Sequence, residues 1–142
     1  MRLVVILCGP PGAGKTTAAR QAGLTVFDRD DPQWHSEKDF TDALARLAED
    51  PRAMAVVIRS GATSSARRRW SRLVNATHVY VITTEQHEAR RRVHQRSRGD
   101  ERVSMTAITQ WFDRHDRDDG VQDFPGWSAL WSPSIGLTST DW

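Results

Sequence analysis

The sequence predicts an α/β fold in three layers: a small parallel sheet of about four strands, flanked by helices on both faces. Three observations lead there. Short apolar runs recur at Arg2–Cys8, Thr25–Phe27, Met54–Ile58 and Thr77–Ile82, the pattern of strands buried on both faces. Helix-compatible segments, most of them amphipathic, separate them, and that alternation implies right-handed crossovers between parallel neighbours. The first run leads into Gly9-Pro10-Pro11-Gly12-Ala13-Gly14-Lys15-Thr16.

This stretch matches G-x-x-x-x-G-K-[ST], the phosphate-binding P-loop, in the strand–loop–helix context that the motif requires. Gly12 and Gly14 let the backbone curl into a nest whose N–H groups face phosphate oxygens. The following helix adds the partial positive charge of its N-terminus. Lys15 is expected to reach the β- and γ-phosphates and the Thr16 hydroxyl to ligate Mg²⁺. Gly9, Ala13 and Thr17 complete the expected cradle. The chain has 18 arginines but only two lysines, Lys15 and Lys38. One of the two stands where a compact ammonium on a thin stem is required. The fold expected is therefore the P-loop NTPase sandwich, with ATP and Mg²⁺ as cofactors.

The remaining elements follow in order. Thr17–Ala22 continues the loop as a helix before Gly23. After the second strand, Asp28-Arg29-Asp30-Asp31-Pro32 forms a loop. Ser36 is expected to cap a helix, with Asp39 in the capping-box position. Phe40, Ala43, Leu44, Leu47 and Ala48 make its apolar face. Asp50-Pro51 ends it. Past the third strand, Ser64 or Ser65 is expected to cap a helix through Asn75, with Ala66, Trp70, Leu73 and Val74 inward. Thr83 with Gln86 opens a helix through Arg96, which Arg98-Gly99-Asp100-Glu101 interrupts. Ser104 is expected to cap a last helix, with Ile108, Trp111, Phe112 and His115 on one side.

From Asp118 the periodicity dissolves, so residues 1–118 read as the P-loop domain and 119–142 as a Trp-containing tail. A chain of 142 residues supports one core. The net charge of +2 is unevenly spread: −1 over residues 1–58, +7 over 59–102 and −4 over 103–142. The lone Cys8 excludes an intramolecular disulfide, fits a reducing compartment and reads as a small buried residue. No membrane span or signal peptide is legible, and a cytoplasmic location is expected.

In open α/β sheets the site lies beyond the carboxyl ends of the strands. That rule gathers residues 9–16, 28–34, 59–64 and 83–85. The acidic loop 28–31 offers carboxylates to orient a hydroxyl, take its proton or ligate Mg²⁺. Arg90, Arg91 and Arg92 spread around a helix and read mainly as a solvated face. Arg96 and Arg98 stand where a helix breaks at Gly99, suited to closing an arginine onto a transferring phosphoryl group. Arg67, Arg68 and Arg69 read as phosphate contacts or as an exposed face. Trp34 reads as packing or as a platform for a base.

Together these residues resemble the phage polynucleotide 5′-kinase family, within the small P-loop kinases that include zeta-toxin-like enzymes. The resemblance spans about residues 2–117. It is carried by the P-loop, Arg29-Asp30-Asp31, Val57-Ile58 before the Arg67-Arg68 helix, and Ser97-Arg98-Gly99. It implies that Asp30 is the catalytic base, also placed to ligate the metal, and that Arg98 engages the ATP phosphates beside Lys15. Arg96 is expected to assist at the nucleotide. Two departures stand out: Gln33 where the family has an acceptor-contacting Arg, and Ser60 where it has an acidic residue. The expected function is an ATP- and Mg²⁺-dependent kinase acting on a nucleic acid 5′-hydroxyl. A nucleoside, nucleotide or other small metabolite is the alternative acceptor, and a non-catalytic nucleotide-dependent regulator the third reading. The sequence does not fix the oligomeric state.

Overall fold

A computed structural model describes residues 1–83, 86–96 and 101–130. Among these, five strands form one sheet in the order β2-β3-β1-β4-β5. They are β1 (Leu3–Cys8), β2 (Thr25–Asp28), β3 (Met54–Arg59), β4 (His78–Val81) and β5 (Gln122–Asp123). Every pairing is parallel. The helices are α1 (Lys15–Gln21), α2 (Glu37–Glu49), α3 (Ser64–Val74), α4 (Gln86–Arg96) and α5 (Glu101–Arg114). The expected strands are present, and the sheet has one more, contributed by the segment past Asp118.

β1 is central and buried along its whole length, so its side chains feed two cores by the strand period of two. Val4, Ile6 and Cys8 face Phe40 and Leu44 of α2, Trp70 and Val74 of α3, and Trp111 of α5. Leu3, Val5 and Leu7 face Ala19 of α1 and Trp127. α4 packs on α5 through Ala89, Val93 and Ile108. On the second face, α1 is joined by residues 119–130. Phe124, Trp127 and Leu130 pack into that core, and the Trp127 indole donates to the Ala18 carbonyl at 2.7 Å. The described part of the segment read as a tail thus forms an edge strand and half of a layer.

The caps follow the sequence at α2, where the Ser36 hydroxyl accepts from the Asp39 N–H at 3.0 Å. They differ at α3, where Thr63 rather than Ser64 or Ser65 is the cap and accepts from the Ala66 N–H at 3.2 Å. Ser64 is instead the first helical residue, and it is buried. Ser104 does not cap α5 either: the helix starts at Glu101, and Ser104 is buried within its first turns.

Arg67 corrects both readings made of it. It is neither an exposed face nor a phosphate contact; it is buried in the core. Its guanidinium donates to both carboxylate oxygens of Asp119, to the Gly61 and Ala62 carbonyls and to the Asp116 carbonyl. A buried arginine needs such a full set of acceptors.

Candidate active site

The P-loop leaves the carboxyl end of β1, where neighbouring strands continue on either side. Gly12 has φ +81° and Gly14 φ +94°, a region that a β-carbon disfavours. A Cβ on Gly12 would also stand 2.8 Å from the Ala89 carbonyl oxygen of α4, so the cradle depends on close backbone approach. Gly14 is the N-cap of α1 and supplies no side-chain acceptor to the first turn. The N–H groups there are left for an anion. The fit to a polyphosphate is therefore good.

A cleft of about 1100 Å³ opens over this loop. Gly12, Ala13, Gly14, Lys15, Thr16 and Thr17 line it, together with Asp28, Asp30 and Asp31 of the acidic loop, Ile58, Arg92 and Ser104. Gly9 does not line it. That residue lies beneath, donating to the Ser60 carbonyl at 3.0 Å and accepting from Lys15 Nζ at 2.5 Å. The same Ser60 carbonyl accepts from the Trp111 indole at 2.6 Å, which ties the P-loop, the β3–α3 turn and α5 to one atom.

Burial pulls the Lys15 ammonium from its ordinary 10.5 down to about 8. Asp28 and Asp30 partly restore it, and Arg59 lowers it further. The two acidic residues therefore lie within electrostatic reach of the lysine. Thr16 Oγ1 donates to Asp28 Oδ2 at 3.3 Å, and the Asp30 N–H donates to Asp28 Oδ1 at 3.1 Å. Asp28 is fixed from both sides, whereas Asp30 is exposed at the cleft. Among the described residues no three His, Cys, Asp or Glu side chains converge on one metal point. The Thr16 hydroxyl with one or two carboxylates is the donor set that suits Mg²⁺ bound mainly through substrate phosphates.

Two side chains make contacts that the sequence did not assign. Asp28 is held by the motif threonine, and its place as the last residue of β2 was the available signal. Arg92 Nη1 donates to the Gly12 carbonyl at 3.0 Å and Nε to Glu88 at 3.3 Å, so one member of the arginine run sits on the P-loop. No period in α4 marks it out. The Arg96 side chain and all of Arg98 lie outside the described residues, as do 84–85 of the expected rim. Trp34 packs against Phe27 and Phe40, with ring centroids 6.1 and 5.4 Å away. Burial raises the Cys8 thiol to about 12, which makes it an inert core residue.

No protein-family model matches the sequence, and no curated protein matches it. Solved structures do share the fold. A gluconokinase from Sinorhizobium meliloti has TM-score 0.54 and is 14% identical, covering 87% of this chain and 82% of that one. Shikimate kinase from Acinetobacter baumannii, in complex with shikimate, has TM-score 0.52 and is 15% identical, covering 99% and 95%. Chaetomium thermophilum Kti12, in complex with ADP-AlF3, has TM-score 0.56 and is 18% identical, covering 87% and 89%. The chain has the P-loop NTPase fold, a parallel sheet flanked by helices. Among the described residues no helix is long and apolar enough to cross a membrane.

Proposed function

We propose that this protein is an ATP-dependent kinase that transfers the γ-phosphoryl group to a hydroxyl, with a nucleic acid 5′-hydroxyl as the acceptor. The observation that carries the reading is the meeting of Lys15, Thr16, Asp28 and Asp30 at one cleft. Nucleotide binding with its metal would use the first three, and Asp30 is the group beyond them. Carboxylates across from a phosphate cradle are what a phosphoryl acceptor needs for orientation and proton removal. The gluconokinase and the shikimate kinase that share the fold support phosphoryl transfer in general and leave the choice of acceptor open.

In the proposed reaction Asp30 accepts the proton of the acceptor hydroxyl as its oxygen attacks the γ-phosphorus. The new O–P bond forms as the bond to the β-phosphate oxygen breaks, leaving ADP. Lys15 and the loop N–H groups hold the phosphates. Thr16 and Asp28 would hold Mg²⁺, which supplies charge neutralisation at the phosphate oxygens when bound. Arg98, beside Arg96, is the proposed lid arginine.

A nucleoside, nucleotide or small metabolite is the second acceptor reading. Gln33 favours it: the position three beyond Asp30 carries no charge, and its N–H is turned to Asp31 Oδ1 at 3.0 Å. The test is a panel of 5′-hydroxyl oligonucleotides, nucleosides and nucleotides incubated with γ-labelled ATP. Label in oligonucleotides supports the first reading and label in the small acceptors the second. ATP binding with no transfer to any acceptor would instead favour a regulatory protein.

A further inference from the structure

Trp111 of α5 is buried and lines no part of the cleft, yet hydrogen bonds connect it to the P-loop lysine. Its indole Nε1 donates to the Ser60 carbonyl at 2.6 Å, and the Gly9 N–H donates to that same oxygen at 3.0 Å. A carbonyl oxygen has two lone pairs, so these two donors fill it and fix its direction. Gly9 in turn accepts from Lys15 Nζ at 2.5 Å. The path from α5 to the ammonium runs through Trp111, Ser60, Gly9 and Lys15 without a gap.

Each link on that path is constrained. The His115 ring stacks on Trp111, with centroids 4.3 Å apart, and its Nδ1 lies 3.1 Å from the Ala62 carbonyl oxygen. The end of α5 is thus tied to the β3–α3 turn at both Ser60 and Ala62. Gly9 is buried, and a Cβ there would overlap the Ile82 carbonyl oxygen just past β4. Once its N–H is held, the residue has little room to shift. An ammonium carries three N–H donors; with one directed to the Gly9 carbonyl, the others remain for phosphate oxygens. Gly9 therefore aims the lysine, and the Ser60 carbonyl holds Gly9. On the other flank, α4 reaches the loop at Gly12 through Arg92. The packed pair α4–α5 accordingly bears on the P-loop at both Gly9 and Gly12.

We propose that Trp111 is a positioning residue for Lys15: its indole N–H, acting through the Ser60 carbonyl and Gly9, holds the ammonium where the β- and γ-phosphates of a nucleotide arrive. The inference rests on the triphosphate-binding part of the kinase reading and is independent of the acceptor.

The test is the ratio of ATP to AMP affinity by calorimetric titration, since only ATP carries the phosphates that Lys15 is proposed to reach. The proteins compared are wild type, Trp111→Phe, Lys15→Ala, the double variant and Trp70→Phe, which truncates a tryptophan of the same core outside the path to the P-loop. Loosened packing weakens both nucleotides alike, whereas a misplaced lysine weakens ATP alone. Trp111→Phe is expected to lower the ratio about threefold to tenfold, the worth of one hydrogen bond, and Trp70→Phe to leave it unchanged. In the Lys15→Ala background Trp111→Phe is expected to lower it no further, because the two residues act in series. If Trp111→Phe fails to fold, 3-benzothienylalanine at Trp111 carries the test, keeping the ring size with sulfur in place of the indole N–H. A ratio that falls in Lys15→Ala but holds in the Trp111 proteins overturns the positioning role and leaves the nucleotide reading standing. An equal further fall in the double variant also overturns it. A wild type without preference for ATP, or a preference that survives Lys15→Ala, removes the phosphate role of Lys15 and this inference with it.

Discussion

Arg67 Nη2 donates to Asp119 Oδ1 at 2.8 Å while Arg67 Nε donates to Asp119 Oδ2 at 3.0 Å, a two-pronged pair in which the arginine side chain is 1% exposed. It joins the start of α3 to the segment that leads into β5. Through the Gly61 and Ala62 carbonyls it also fixes the turn whose Ser60 carbonyl accepts from Gly9. Removing one partner of a buried pair leaves the other uncompensated, at a cost of about 3–5 kcal/mol. Arg67→Met is expected to lower stability by that order in urea unfolding, with Arg68→Met, on the exposed side of the same helix, nearly neutral. Equal, small losses for both would contradict the core placement of Arg67.

The same pair sets an acid limit. The Arg67 hydrogen bonds hold the Asp119 carboxyl below its ordinary 3.8. A carboxyl depressed in the folded state stabilises the fold above its unfolded pKa, and that contribution is lost as pH falls through the folded value. Asp119→Asn is therefore expected to be less stable than wild type at neutral pH. The difference should narrow below about pH 4, as read from unfolding midpoints across a pH series. A gap that stays constant down to that pH would remove the ion pair from the explanation.

The strands, the P-loop and the apolar face of α2 were legible because each is a local pattern: a buried run, a spaced motif, a helical period. Residues 119–130 were not. Their contribution lies in two residues paired to β4 and in Trp127 against Ala18, contacts that no local spacing encodes. Arg67 was misread for a related reason. Three consecutive arginines look alike in sequence, and only the distant Asp116 and Asp119 make one of them a core residue. Asp30 and the P-loop lysine were legible at the site. Asp28 was legible as one of the loop carboxylates, but its bond to Thr16 was not, nor was the contact of Arg92 with the P-loop, since tertiary approach and the docking of α4 decide them.

Lys15 makes nucleotide binding a proton-linked event. With its pKa near 8 in the free protein, the neutral amine dominates at about pH 9, and a bound triphosphate restores the ammonium. Proton uptake on binding is expected to rise from near zero at about pH 7 towards one at about pH 9. For the free protein the sign is set by the lowered value: the unfolded chain binds more protons between about 8 and 10.5, so stability rises with pH across that window. Calorimetry in two buffers of different ionisation enthalpy measures the uptake. Buffer-independent heats at the higher pH would show that the lysine keeps its proton.

Arg92 stands on the P-loop from outside, anchored by Glu88. Arg92→Gln is expected to weaken ATP binding about threefold to tenfold, with stability changed by less than ~0.5 kcal/mol because the side chain is largely exposed. Fluorescent-nucleotide titration and thermal melting check the two halves. An unchanged affinity would reduce Arg92 to a surface contact.

The proposed division of labour between the two cleft aspartates is the centre of the proposed mechanism, and single-turnover transfer from γ-labelled ATP to a 5′-hydroxyl oligonucleotide tests it most directly. Asp30→Asn is expected to slow the transfer step by about a hundredfold or more while leaving ATP affinity close to wild type, since a general base acts on the acceptor and not on the nucleotide. Transfer by Asp30→Asn at the wild-type rate would contradict the account.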